Sequence, residues 1–243
     1  MEREIRIPIL MYHSIGSIKR GEGLRSLHVP KWLLSIHFFI LKILGYQGKS
    51  MEELMPYLNG EKFGKVVGIT FDDGYENNYY NALPILKKYR FTATCYIVAN
   101  NIGGKNYWDI PKNYKVFKMM NTDQIKSWIS SGMDIGSHSL NHIRLDKIDQ
   151  NTLDKEISKS KEKLEKIFGV RINHFCYPYG AKNTNVTDMV ESNNYKTGVT
   201  VKRGIMSKDS DLFSLPRVTI THKTFPHLFL LKLFTNYEKP RKD

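Results

Sequence analysis

Two adjacent carboxylates, Asp72 and Asp73, stand between an apolar run and a glycine in the stretch G-I-T-F-D-D-G-Y-E-N-N, residues 68–78. Neighbouring side chains on an extended chain point to opposite faces, so the two acids can serve different partners. A turn needs only a single Asp or Asn beside Gly. Hydrolysis has a use for both, because one carboxylate can hold a metal while the other takes a proton from water. A second constellation lies downstream. His138 and His142, in S-H-S-L-N-H, are four residues apart, a spacing that lets two imidazoles share one face of a helical turn. Two imidazole nitrogens with one oxygen from Asp73 or Asp72 make three protein ligands and leave an open position on a divalent ion.

Such residues need elements that bring them together. Apolar runs predict strands at 5–11, Val66–Phe71, 92–98, 133–135, 172–176, 197–201 and 218–220. Helices are expected at 30–44, at 78–89 with Pro84 near or inside it, from Asn121 or Thr122 to Ser131, at 153–168 with Gly169 as its stop, and at 185–192. This alternation favours an α/β architecture, and no linker or internal repeat divides residues 1–243, so one domain is expected. The acids, the histidines and the Y-P-Y-G at 177–180 all fall just beyond strand ends. Parallel barrels and open α/β sheets place active sites there.

Composition sets outer limits. A hydrophobic share of 41% and a charged share of 25% over 243 residues describe a globular chain rather than a disordered one. The net charge of +13 favours polyanions or an anionic surface as partners, yet much of the lysine alternates with glutamate in the 153–168 helix, as on a solvated face. No zinc-finger, basic-zipper or RNA-binding signature turns that charge into nucleic-acid recognition. Cys95 and Cys176, both among apolar or aromatic neighbours, read as buried thiols rather than a disulfide framework. The charged start of the chain lacks the apolar core of a secretory signal, so a cytoplasmic location, including the inner face of the membrane, is expected. The apolar run at 32–44 is too short to span a bilayer, and a second one, at Phe225 to Phe234 within a C-terminal segment 225–243, would pack on the body of the protein or rest on a membrane.

Taken together, T-F-D-D-G at 70–74 and H-S-L-N-H at 138–142 resemble the first two motifs of the polysaccharide deacetylases, the NodB-homology domain of carbohydrate esterase family 4. The resemblance extends from Y-H-S-I-G at 12–16 through F-C-Y-P-Y-G at 175–180 to L-P-R-V-T-I at 215–220. It implies a distorted (β/α) barrel and a metal-dependent hydrolase that removes an N-acetyl group from an amino sugar, breaking a linear amide C–N bond. Carried over by position, Asp72 is the catalytic base and Asp73, His138 and His142 hold the metal, most often zinc, with cobalt or nickel also accepted. The main-chain N–H of Tyr179 is the oxyanion donor.

Two departures stand out. The family commonly has an arginine two residues before the motif proline, where this chain has Cys176, and no tryptophan-containing fourth motif follows Gly180. Arg217, in L-P-R, is the candidate for the missing positive charge. The Y-P-Y-G variant with an early Y-H resembles the branch acting on exopolysaccharides that contain poly-N-acetylglucosamine, which makes His13 the favoured general acid and His222, in V-T-I-T-H, the alternative. The implied partner is an N-acetylated glycan or a lipid-linked amino sugar, with peripheral membrane contact as a further expectation and no nucleic acid. A noncatalytic glycan-binding protein that kept the fold is the alternative to an enzyme.

Overall fold

The computed structural model describes residues 6–238. Val66–Phe71 is buried at all six positions and Ile9–Tyr12 at all four, the pattern of strands covered on both faces. These two pair in parallel, and the ring continues through Leu215–Thr219, Thr197–Arg203, His174–Cys176, Asp134–Ser137 and Thr94–Ile97 back to Val66–Phe71. Seven parallel strands thus close a barrel. The remaining strand of the eight, Gln47–Lys49, pairs with the first half of Val66–Phe71, wedged on the side where Thr94–Ile97 takes over at Thr70. This is the distorted (β/α) barrel that the motifs imply.

Helices cover the outside, and their ends follow from local chemistry. Thr122–Ser130 begins at Asn121, whose side chain accepts from the Gln124 N–H while Gln124 Oε1 accepts from the Asn121 N–H. Lys31–Ile43 buries Leu33, Leu34, Phe38 and Leu41 against the barrel. The long helix expected at 153–168 runs as Gln150–Asp154, a wide π-type turn at Lys155–Lys159, and Ser160–Phe168, ending where Gly169 takes φ +67°. A second wide turn, Asn78–Ala82, precedes Leu83–Tyr89, so the boundary expected near Pro84 lies one residue before it.

Several expectations shift. The strand expected at 5–11 splits: Arg6–Ile7 pairs antiparallel with Met206–Ser207, and the barrel strand starts after Pro8, which has no N–H to donate. Ile5 lies outside the described residues, as do residues 239–243 of the C-terminal segment. Gln47–Lys49 and the Ser50-capped helix Met51–Leu58 were not expected. Pro226–Phe234 is helical and buries Phe229 and Leu233. Cys95 and Cys176 are free and buried. Among the described residues, no helix is long and apolar enough to cross a membrane.

Candidate active site

The two acids sit at the C-terminal end of Val66–Phe71 and are at once a turn and a site. Asp73 takes φ +72° and Gly74 φ +82°. Aspartate tolerates the left-handed region better than most side chains. The reversal sends the two carboxylates apart. Asp73 Oδ1 lies 3.2 Å from His138 Nε2 and 3.3 Å from His142 Nε2. Asp72 turns to Arg217, with oxygen–nitrogen distances of 2.7 Å on both carboxylate oxygens.

His138 and His142 do not share a helical turn, which corrects the expectation from their spacing. They lie in the irregular loop after Asp134–Ser137, where Ser139 and His142 both have positive φ, and the reversal rather than helical periodicity brings the rings together. Ser139 Oγ accepts from the His142 N–H at 3.0 Å. The ring of His138 is oriented by its Nδ1, 2.7 Å from the Cys176 carbonyl oxygen. A carbonyl only accepts, so Nδ1 carries the proton, and in the neutral ring Nε2 presents a bare lone pair to the Asp73 carboxylate. Burial pushes the His138 imidazole down, but its contacts with Cys176 and Asp73 outweigh that and hold it well above its ordinary value, so a proton on Nε2 bridges the 3.2 Å to Asp73. A divalent cation can take the place of that proton, and one oxygen with two imidazole nitrogens, mutually within 4.8 Å, is a donor set that fits it. A second grouping, Asp72, His138 and Cys176, is also close enough, but there Asp72 and the Cys176 sulfur are both engaged by Arg217.

Arg217 is fully buried and supplies the charge that Cys176 cannot. Its Nη2 approaches both Asp72 and, at 3.3 Å, the Cys176 sulfur that occupies the position of the family arginine. Burial pushes the Asp72 carboxyl up, but the charge and hydrogen bonds of Arg217 outweigh it and hold the group below its ordinary range. Asp73 is likewise held well below that range, by hydrogen bonds from His138 and His142 acting against burial.

His13, one residue beyond the Ile9–Tyr12 strand, reaches the same center, with Nε2 3.7 Å from Asp72 Oδ2. His222 does not. The chain turns away after Leu215–Thr219 through a tight reversal in which the Thr224 N–H donates to the Thr221 carbonyl, and His222 stands outside the cavity that the other residues line.

That cavity, of about 200 Å³, is lined by Asp72, Asp73, His13, His138 and His142, with Leu24, Leu27 and Val201 as apolar wall. Tyr179 closes one side, its ring edge-on to His142 at 4.6 Å and its phenol pushed up to about 12 by burial. Tyr179 itself has φ +58°, within the Pro178–Gly180 turn. Gly180 follows at φ +67°, where a Cβ would come within 2.5 Å of Val201. An open groove of about 570 Å³ continues from Trp108, His142 and Tyr179 past Tyr107, Asn141 and Arg144.

Residues 59–198 match the family model described as polysaccharide deacetylase. The chain belongs to the polysaccharide deacetylase family. Within the matched span lie Asp72, Asp73, His138, His142 and Tyr179, whereas His13, Arg217 and His222 fall outside it. The Bacillus subtilis protein YxkH, named for polysaccharide deacetylation, is 33% identical over 222 residues, which cover 90% of this chain and 73% of that protein. A Staphylococcus aureus poly-beta-1,6-N-acetyl-D-glucosamine N-deacetylase is 28% identical over 189 residues, 74% of this chain and 63% of the S. aureus enzyme. Among solved structures, the Streptococcus pyogenes deacetylase PplD, in complex with acetate, superimposes with a TM-score of 0.83 at 29% identity, over 95% of this chain and 99% of PplD.

Against this family background, three residues emerge that the motifs did not single out. Trp108 stacks on His142 with ring centroids 4.2 Å apart. It comes from the loop beyond Thr94–Ile97, and its signal in the sequence is a Tyr-Trp pair in an otherwise polar, Gly/Asn-rich stretch. Asn78 and Glu156 sit in the two wide turns. Asn78 Nδ2 donates to the His13 carbonyl at 2.7 Å, and its Oδ1 accepts from the Ile15 N–H at 3.1 Å. Glu156 is buried, and its carboxylate accepts from the Leu140 and Asn141 N–H groups and from Asn141 Nδ2, fastening the loop between the two histidines. Each widened turn delivers one polar side chain to one loop of the site, a common use of π-type insertions.

Proposed function

We propose that this chain is a metal-dependent hydrolase that removes an N-acetyl group from an amino sugar in a glycan or glycan precursor. The observation that carries this reading is the separation of the two neighbouring acids: Asp73 faces two imidazole nitrogens while Asp72, one residue away, is held ionised by Arg217. Asp73, His138 and His142 would hold the ion. A divalent cation there, zinc in first place and cobalt or nickel as alternatives, supplies Lewis-acid polarisation of the acetyl carbonyl and lowers the pKa of water.

The chain's own groups then divide the proton transfers. Asp72 takes the proton from the attacking water, and the Arg217 pair orients its carboxylate for that task. His13, beside Asp72 in the cavity wall, gives a proton to the amide nitrogen as the C–N bond breaks, so that the amine leaves neutral. Donation from the Tyr179 main-chain N–H stabilises the charge that develops on the former carbonyl oxygen. Leu24, Leu27 and Val201 offer an apolar wall suited to an acetyl methyl group. The similarity to the S. aureus enzyme named for poly-N-acetylglucosamine supports a substrate of that kind. The open groove beyond Trp108 has room for sugar residues flanking the reacting one.

The test is release of acetate from a panel of N-acetylated oligosaccharides and lipid-linked or nucleotide-linked amino sugars, with mass detection of the product. The reading expects product lighter by one acetyl group per acetate released. Saturable glycan binding without acetate release under any divalent metal would instead favour the noncatalytic glycan-binding alternative.

A further inference from the structure

On one outer flank of the barrel, two neighbouring helices bury one face each and leave the other bare. Lys31–Ile43 exposes Trp32 at 54%, Phe39 at 53% and Ile43 at 63%, residues that its helical period places on a single stripe. Pro226–Phe234 exposes Leu230, Leu231 and Phe234, again on one side. The two stripes form one surface. Trp32 stacks on Phe225 at the start of the helices, with centroids 6.4 Å apart, His37 on Phe229 at 4.2 Å in the middle, and Tyr46 meets Phe234 at 6.2 Å at the far end.

Along the two stretches of sequence that carry these helices the charge has a single sign. No acidic residue occurs between Glu22 and Glu52, or between Asp211 and Glu238, the two stretches that contain the helices. Lys31 and Lys42 flank the first stripe and Lys223 precedes the second, all exposed. The Lys65 ammonium donates to the Leu44 carbonyl and the Arg6 guanidinium to the Thr235 carbonyl, adding a cation at the C-terminal end of each helix. An apolar stripe with tryptophan at one edge and lysines along the rim suits the interface of an anionic bilayer, with rings among the acyl boundary and ammonium groups among phosphates.

We propose that this flank docks the protein on an anionic lipid bilayer. A water-soluble protein partner would have to leave the unopposed cations solvated or supply matching acids, whereas lipid phosphates supply them across the whole rim. The inference does not rest on the hydrolytic reading, since none of these side chains lines the catalytic cavity.

Sedimentation with vesicles of phosphatidylcholine mixed with phosphatidylglycerol, compared with phosphatidylcholine alone, tests it on the full chain. Binding should require the anionic lipid, fall with salt, and shift Trp32 emission to the blue, a shift lost in Trp32→Phe. Phe39→Asp with Phe234→Asp should abolish binding. Lys31→Gln, Lys42→Gln and Lys223→Gln together leave the apolar surface intact and should weaken binding about a hundredfold, at about fivefold per lysine near the surface. Absence of vesicle binding would overturn the proposal, as would binding that neither set of substitutions alters. A dimer in sedimentation velocity that Phe39→Asp dissolves, without vesicle binding, would assign the face to a second copy instead.

Discussion

At the lower end of the barrel, His174 lies fully buried with Nδ1 2.9 Å from Thr197 Oγ1 and Nε2 3.0 Å from Glu52 Oε2. Lys196 and Asn173 donate to the same glutamate, at 2.8 Å each. At the upper end, the Nε2 atoms of His138 and His142 converge on one oxygen of Asp73, and His142 Nδ1 is buried with no hydrogen-bond partner among the described residues. Both ends pair histidine with a carboxylate, and the difference lies in what else meets the ring nitrogens and the carboxylate oxygens. In the lower cluster a donor can meet every acceptor, so the arrangement is complete with protein alone. In the upper cluster two ring nitrogens share one carboxylate oxygen, and Asp73, Ser139, His142 and Tyr179 around it all have positive φ. Strain of this kind, of order 1–3 kcal/mol per residue, persists where surrounding structure enforces it and clusters at functional sites. A histidine beside an acid is therefore informative only once its other nitrogen has been assigned.

Substitutions at the two ends should separate them. Asp72→Asn should leave metal stoichiometry unchanged while lowering kcat about a thousandfold, the scale of a lost general base. Loss of bound metal in that variant would show that Asp72 belongs to the ligand set. His13→Ala should cost about a hundredfold in kcat and remove the basic limb of its pH profile, whereas His222→Ala should keep both. The reverse pattern would move the general acid to His222. Glu156→Gln leaves the ligands in place but loosens the loop between them, so zinc affinity measured by calorimetry should fall about tenfold to a hundredfold.

The smallest effect on activity belongs to the lower end. The hydrogen bond from His174, with Lys196 and Asn173, holds the Glu52 carboxyl below its ordinary range against partial burial. Its contribution to stability is therefore fully present above the unfolded value, about 4.3, and is lost as pH falls through the lower folded value. Glu52→Gln should flatten the loss of melting temperature in that acid window and leave kcat/KM unchanged. A fall in turnover would show that the lower cluster reaches the chemistry.

How far the sequence revealed this depended on the range of the interactions. Asp72, Asp73, His138, His142 and Tyr179 are read from short motifs at strand ends, because each motif is a local reversal that needs particular residue types. Arg217 was legible only through a gap, the absent arginine at Cys176, since nothing local says that a residue 145 positions beyond Asp72 fills it. Asn78 and Glu156 were hidden by helical periodicity. One inserted residue in a helix changes which side chain turns inward, and composition does not report it. The three-residue strand Gln47–Lys49 carries too little apolar pattern to be seen. The spacing of His138 and His142 misled, because a four-residue separation fits a helical turn as well as the loop that forms.

If Asp73, His138 and His142 hold a divalent ion needed for deacetylation, removing that ion must stop the reaction. The direct measurement strips the protein with a chelator and follows acetate release from an N-acetylglucosamine oligomer while zinc, cobalt or nickel is titrated back. Release should disappear on stripping and return to a plateau at one ion per chain. Asp73→Asn, folded by circular dichroism, should neither bind the ion at that stoichiometry nor recover. Acetate release undiminished by complete removal of metal, or restored equally in Asp73→Asn, would contradict it.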